Sequence, residues 1–320
     1  MKAAYRTTYG KGNVLSIREV EKPVPANDQV LVRVHAATVN RTDCHILWGR
    51  PFVMRLFLGL FRPRKHTTGC DFAGEIEVKG EGVRNFNVGD RVLGFRGVFG
   101  CGSHAEYIVV NPEKAVVAMP TNLNYEQAAA CIEGALYANT IVRKLNPQPG
   151  RTAMVYGSTG AIGSAAVQLL KDRGVRITAV CRREHFDLMR SLGAERCIDY
   201  TLEDFRNDKD VYDFFFDAVG KMPFIKCKQL LSTSGIYASS GGNISNLLYI
   251  LIGKFVRGPK VLFYPGERVT PIMQANCELI QQERFKPLID RIYPLEQIAE
   301  AFDYVGSGQK IGNVVLKTDE

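Results

Sequence analysis

The chain has 320 residues, 46% of them hydrophobic and 23% charged, with a formal net charge of +8. That length and composition point to about two domains with a substantial core and exclude a disordered or fibrous chain. No apolar run is long enough to span a bilayer, so no stable membrane insertion is expected. The basic residues are dispersed, which suits an anionic cofactor as well as a nucleic acid, and no nucleic-acid partner is expected. The eight cysteines include no CxxC pair, and the first residues lack a signal-type apolar core. Reduced, packed thiols and a cytoplasmic location are therefore expected.

In chain order, residues 2 to about 122 read as β-structure. Residues 3–8 and 14–20 are strand candidates, and 29–36 carries Val30, Val32 and Val34 on one face. Residues 72–78, 91–95 and 106–110 continue the pattern between glycine-bearing turns, as in a small barrel-like domain. Residues 52–65 mix large apolar side chains with cations. They read as a lid over an apolar substrate, with a membrane-surface helix and a plain packing element as alternatives. Residues 125–142 read as one helix, and Pro147-Gln148-Pro149-Gly150 breaks the chain after it.

Thr152 to Tyr156 is a short apolar run, followed at once by Gly157-Ser158-Thr159-Gly160-Ala161-Ile162-Gly163 and then by apolar residues at helical spacing. A second strand, 175–180, completes a β-α-β unit. In such a unit one glycine permits the turn, one lets backbone approach a pyrophosphate, and one lets helix and strand pack closely. The helix N-terminus supplies unpaired N–H groups to the phosphates. A structural turn in an unrelated α/β domain is the alternative. The second strand ends in Cys181-Arg182-Arg183 with no acid, which favours NADPH over NADH, unless both arginines are only solvated. Further on, 185–192 and 270–282 read as helices, 196–200, 212–217 and 235–238 as strands, and 295–304 as a helix before a closing strand at 312–316. Val219, Ser239 and Ser240 end two of these strands and should rim the cofactor crevice. Residues 260–264 look like an edge strand beside an apolar segment, 246–256, and exposed edges are often covered by a second copy, so a homodimer is expected.

The chain resembles the medium-chain dehydrogenase/reductase superfamily, in the zinc-free, quinone reductase-like branch that includes zeta-crystallin. The resemblance rests on Val39-Asn40-Arg41-Thr42-Asp43, Gly69-Cys70-Asp71-Phe72-Ala73-Gly74-Glu75-Ile76, Phe86-Asn87-Val88-Gly89-Asp90-Arg91-Val92, the glycine turn and Gly312-Asn313-Val314-Val315-Leu316. It implies an α/β protein: a GroES-like β-barrel catalytic domain, residues 1–122 plus 267–320, with an inserted Rossmann domain of doubly wound parallel sheet, residues 123–266. By similarity, Asn40 lies near the nicotinamide and the substrate carbonyl, Tyr200 beside the adenosine phosphate, and Ser239 and Ser240 along the cofactor channel. Asn313 is placed with the cofactor-binding residues on the same ground.

Zinc members of the superfamily read Cys-Arg-Thr-Asp-x-His where this chain has Asn40-Arg41-Thr42-Asp43-Cys44-His45, and Gly-His-Glu where it has Gly69-Cys70-Asp71. Asn is a poor zinc ligand, Ile132 falls near the third ligand position, and no metal is expected. Convergence of Cys44, Cys70, Cys101 and His104 on a soft metal is the alternative to packed thiols. Without a Lewis acid, hydride transfer relies on geometry and hydrogen-bond donors, which suits a small apolar electrophile such as a quinone or an α,β-unsaturated carbonyl. Thr42 and His45 resemble the relay hydroxyl and imidazole of the zinc enzymes, so His45 is a candidate proton donor, with solvent as its rival. An alcohol or aldehyde dehydrogenase of the same superfamily, or a non-catalytic NADPH-binding protein, are the competing readings.

Overall fold

A computed structural model describes residues 1–97, 99–241, 246, 249–251, 257–262 and 268–318. The chain divides into two units, one formed by Met1–Glu133, Val269–Gln282 and Lys286–Glu320, the other by Gly134–Arg268 and Glu283–Phe285.

The first unit is built on the Val30–Val39 strand, whose burial alternates little because both faces meet apolar neighbours. It pairs antiparallel with Asp71–Lys79, Tyr107–Val110 and Asn313–Lys317, and the sheet extends through Arg91–Phe95 to Val116–Ala118 on one side and Ile289–Pro294 on the other. Register shifts between Val34 and Ala36 coil the strand, as bulges do in small barrels. A second small sheet pairs Lys2–Tyr5 with Ser16–Glu19. One apolar cluster, with Val32, Phe72 and Ile76, fills the inside of the sheet. Another joins the Arg41–Trp48 helix to the Ile298–Ser307 helix through Cys44, Leu47, Phe302 and Val305.

The second unit is a six-stranded parallel sheet. Numbered within the unit, its strands lie in the order 3-2-1-4-5-6: Arg196–Asp199, Arg176–Cys181, Thr152–Tyr156, Tyr212–Asp217, Leu231–Ser239 and Lys260–Val261. That order is the doubly wound dinucleotide-binding arrangement, with its switch point between the first and fourth strands. Its core stacks Tyr156, Phe205, Phe215 and Tyr237 in sequence, ring centroids 5.0 to 6.3 Å apart.

Two sequence expectations need correction. The single helix over 125–142 is two, Tyr125–Ala130 and Glu133–Leu145. A capping box between Asn124 and Gln127 starts the first. It closes early, because the Cys131 and Ile132 N–H groups bond carbonyls three residues back. Apolar residues run straight through the break, which is why periodicity hides it. The first unit also runs to Glu133, past the expected boundary at 122, because Tyr125 stacks on His35 at 4.2 Å and under Arg91. Of the expected edge strand over 260–264, Lys260–Val261 is observed at the sheet edge, and 263–264 lie outside the described residues, as does most of 246–256.

Phe302 is 2% exposed and meets the His104 ring edge-on at 5.7 Å, so Phe302→Ala should cost about 3–5 kcal/mol. The exposed Ile225→Ala should stay within about 0.5 kcal/mol of wild type. Urea midpoints of the two variants check both expectations.

Candidate active site

In the second unit the Thr152–Tyr156 strand delivers the chain into the glycine turn before the Ala161–Asp172 helix. Gly157 has φ +75°, and a Cβ there would lie 2.2 Å from Val219 Cγ2, so only glycine lets these two strand ends approach. At Gly163 a Cβ would fall 2.2 Å from the Gly157 carbonyl oxygen, which fixes the close packing of helix on turn. Gly160 differs: the nearest atom to its Cβ position is 3.7 Å away, and no side chain caps the helix it begins. The Gly160 N–H closes the turn on Gly157 O at 3.3 Å, so the N–H groups of Ala161 and Ile162, in the first turn of the helix, are the ones left for a phosphate. Ser158 is committed elsewhere: it is fully buried and its Oγ donates to Val180 O at 3.2 Å, bracing the turn to the second strand. Thr159 is half-buried.

Beyond the second and third strands, Arg182 Nε donates to Tyr200 Oη at 3.2 Å, with both side chains exposed beside an exposed Arg183. Asp199 is the acid nearby, but its carboxylate accepts from Arg183 N, Thr201 N and Thr201 Oγ1, which hold its pKa below the ordinary range. It is therefore already occupied as a loop brace. Asp217, fully buried at the end of the fourth strand, accepts from the N–H groups of Val219, Gly220 and Met222 at 2.8 to 3.0 Å. Its backbone carbonyl takes Ser240 N at 2.9 Å and Ser240 Oγ at 3.3 Å. Val219 and Ser239 are thus set by the Asp217 carboxylate, the latter through Ser239 Oγ at 3.5 Å, and Ser240 by its backbone carbonyl, an aspartate that sequence reasoning passed over. Its signal was an acid closing an otherwise aromatic strand.

In the first unit Asn40 caps the Arg41–Trp48 helix and is 5% exposed. Asn40 Nδ2 donates to Thr38 Oγ1 at 2.5 Å and to Glu133 Oε2 at 3.2 Å, with Asp71 Oδ2 at 3.5 Å. Thr38 donates to Asp71 through both its N–H, at 2.8 Å, and its Oγ1, at 2.6 Å, while Asn40 N donates to Asp43 Oδ2 at 2.8 Å. Thr42 hydrogen-bonds Glu133. Glu133, Asp71, Asp43 and Thr38 were missed as a group. The available signal was Glu133 as the lone charged residue of the alanine-rich 128–142 stretch, and it is this side chain, not the fully buried Ile132, that reaches Asn40.

Burial dominates the chemistry of this cluster. It pushes Asp71 up to about 8 and Glu133 up to about 7, and raises Asp43 well above the carboxylate range. Glu133 also raises Asp71, and both raise Asp43, since like charges in a dry site cannot all ionise. Lys310, whose Nζ donates to Gly312 O at 2.5 Å, is pulled down to about 8 by the same desolvation, opposed by Glu133 and Asp290. The half-buried His45 lies one turn along the helix with its ring 5.7 Å from Trp48, and burial and Arg41 lower its pKa. Asn313 spends its side-chain amide on Leu288 O at 3.0 Å in this unit.

The donor set does not fit zinc. Cys44 Sγ donates to Phe302 O, and both nitrogens of the fully buried His104 are taken, Nε2 by Thr38 O at 2.9 Å and Nδ1 by Thr68 Oγ1 at 2.8 Å. Cys70 hydrogen-bonds Cys101. Among the described residues no three His, Cys, Asp or Glu side chains are placed to hold a metal ion. The 52–65 segment is one 3-10 turn, Phe52–Met54, and one helical turn, Arg55–Leu58. Phe52, Val53, Leu56, Phe57, Leu60 and Phe61 are each at least 41% exposed, which removes the plain packing reading. No helix among the described residues is long and apolar enough to cross a membrane.

Two family patterns match the chain: the alcohol dehydrogenase GroES-like domain over residues 26–121 and the zinc-binding dehydrogenase domain over 192–316. A chloroplastic quinone-oxidoreductase of Triphysaria versicolor is 28% identical over 99% of this chain and 98% of its own length. The chloroplastic NADPH-dependent alkenal/one oxidoreductase of Arabidopsis thaliana is 28% identical over 99% of this chain and 79% of its own. The structure of the quinone oxidoreductase from Coxiella burnetii superposes with a TM-score of 0.89 at 26% identity, covering 100% of this chain and 99% of that one.

Linkage fixes how the acid cluster acts on stability. Asp71 binds its proton more tightly folded than unfolded, so its contribution is full below the unfolded value and is lost as pH rises through about 8. His104, lowered to about 4, acts in the opposite sense at lower pH. Other groups titrate in the same range, so the reference is Asp71→Asn. Relative to that variant, wild type should lose stability steadily from about pH 5 to about pH 8, read from urea midpoints across that range.

Proposed function

The chain belongs to the medium-chain dehydrogenase/reductase superfamily, in its quinone reductase-like branch, and from that premise we propose an NADPH-dependent, zinc-independent oxidoreductase that reduces a small apolar quinone or α,β-unsaturated carbonyl. The observation that carries this reading is the Asn40–Glu133 hydrogen bond inside a buried, hydrogen-bonded acid cluster. It is a hydrogen-bond donor site built where the zinc relatives have a thiolate. When bound, the nicotinamide supplies a hydride. The residues of this chain have to hold the cofactor, orient the acceptor and furnish a proton.

The glycine turn, from Gly157 to Gly163, offers the pyrophosphate its open N–H groups. Arg182 and Arg183 offer cations to an adenosine 2′-phosphate, with Tyr200 holding Arg182 in place. Val219, Ser239 and Ser240 line the path at the switch point. In the first unit Asn40 gives up its bond to Glu133 Oε2, at 3.2 Å, to donate to the substrate oxygen, and Thr42 relays a proton from the Glu133 so released, whose pKa near neutrality suits the task. The lowered pKa of His45 leaves it largely neutral at pH 7, so it orients more than it donates. The 52–65 segment covers the acceptor, and the exposed Lys260–Val261 edge joins a second copy in a homodimer.

Turnover of NADPH with a panel of quinones, enones and simple aldehydes tests the reading. Oxidation with quinones or enones and little with aldehydes is expected. Aldehyde turnover of equal efficiency, or tight NADPH binding without any turnover, would replace it. Arg182→Ala with Arg183→Ala should raise KM for NADPH about tenfold or more while leaving KM for NADH nearly unchanged. Glu133→Gln should lower kcat and flatten its pH profile near neutrality.

A further inference from the structure

Phe52, Val53, Leu56, Phe57, Leu60 and Phe61 crowd six exposed apolar side chains into one short stretch of the first unit. Phe99 joins them from another turn, its ring 5.5 Å from that of Phe57, and the patch then holds every exposed phenylalanine among the described residues. Exposed apolar residues are ordinarily scattered singly, and a cluster of this kind marks a surface that meets something apolar.

The segment is held from beneath. Arg55 Nε donates to Gly49 O at 3.1 Å, and its guanidinium lies 4.5 Å from the centre of the Tyr9 ring and 5.5 Å from that of Phe52. Tyr9 Oη donates to Gly59 O at 2.6 Å, Gly59 N to Arg55 O at 2.8 Å and Arg64 N to Leu58 O at 2.8 Å. Gly59 has φ +119°, and a Cβ there would fall 2.1 Å from Arg62 O, so glycine is what lets the chain fold back. Polar contacts thus anchor the segment, and its apolar side chains are left in the open.

Charge decides what this face meets. From Cys44 to Cys70 the sequence has no acid, yet it carries Arg50, Arg55, Arg62, Arg64 and Lys65. All but Arg55 are exposed, and none pairs with a carboxylate among the described residues, Arg55 and Lys65 bonding only backbone carbonyls. Beside the segment lies a cavity of about 410 Å³ with Tyr9 and Trp48 in its wall, and its charged lining residues, Lys11, Arg50 and Arg55, are all cations. A second copy docked symmetrically would bring the same cations against this face and be repelled. Anionic headgroups above an apolar layer match both halves of the patch.

We propose that this face docks the protein on an anionic lipid bilayer, with the apolar side chains of residues 52–61 entering the interface and the cations set against the headgroups. The segment is two short turns, so it lies in the interface and does not span it. Each Lys or Arg at such a surface is worth about fivefold in binding.

The full chain is sedimented at low salt with vesicles of phosphatidylcholine alone or with about one third phosphatidylserine, a composition that gives a negative surface potential. Binding to the anionic vesicles should be at least about tenfold tighter and should weaken as salt rises. Arg62→Glu with Arg64→Glu should weaken it about tenfold or more, and so should Phe57→Ser with Phe61→Ser. Lys226→Glu with Lys228→Glu makes the same change in net charge on exposed lysines of the second unit, and should leave binding within about twofold of wild type. Thermal melts confirm that the variants fold. Equal binding to both vesicle types, an equal loss in the two charge-reversed variants, or no effect of the phenylalanine pair would each overturn the proposal. So would lipid-free self-association that the phenylalanine pair abolishes while vesicle binding is absent, an outcome that gives the face to a second copy. Binding is read without cofactor or turnover, so its failure leaves the reductase reading untouched.

Discussion

Three carboxyl groups share a space closed to water around Asn40, and they cannot all carry charge there. Asp43, Asp71 and Glu133 are each no more than 4% exposed, and the one nearby ammonium, Lys310, is itself pulled toward neutrality. Unpaired buried charge costs several kcal/mol, so the acids keep protons and spend their lone pairs on Thr38, Asn40 and Thr42. Asn40 is fixed by this network on one side and by its place at the start of a helix on the other. A side chain held twice keeps its amide in one orientation, so that on the proposed reaction the hydrogen now given to Glu133 is already aimed when it turns to a developing oxyanion.

The second unit solves a related problem with backbone. Asp217 is buried too, but it accepts three main-chain N–H groups and so orders the loop that carries Val219. Gly157 then brings that loop against the turn, and Gly160 leaves the helix end open. The result is a rim whose shape depends on one carboxylate and two glycines. None of these needs to touch a ligand to determine where Ser240 or Val219 can do so.

Much of this was legible in the residues. The β-α-β unit could be read because a glycine turn between an apolar run and a helical stripe admits few other structures. The Rossmann domain came from the family resemblance, and its strand order is read from the structure alone. The early strands were found by alternation, although Ile289–Pro294 and Val116–Ala118 were missed, the first for want of a clean apolar face and the second for its length. The helix Arg41–Trp48 was read as a motif and not as an element, because a polar cap and mixed residues give it little stripe. The acid cluster was invisible for a different reason. Asp71 and Glu133 lie far apart in the chain, and a carboxylate in a sequence is presumed exposed. Only the early end of the Tyr125–Ala130 helix turns Glu133 inward.

On the proposed reaction, the raised pKa values are more than a consequence of burial. Hydride addition to a quinone or enone leaves an anion, and ionised carboxylates beside Asn40 would repel it by several kcal/mol at interior dielectric. Protonated, the same groups are donors, and Glu133 near 7 is the member able to give up its proton and recover it at neutral pH. Desolvation therefore does two things at once: it removes the repulsion and loads the proton. A conjugated acceptor matches such a site, because its charge is spread and a hydrogen bond with one proton nearby is enough to trap it. A simple aldehyde concentrates the charge on a single oxygen and asks for a stronger electrophile than an amide N–H, so the selectivity between the two classes follows from Asn40 and Glu133 together.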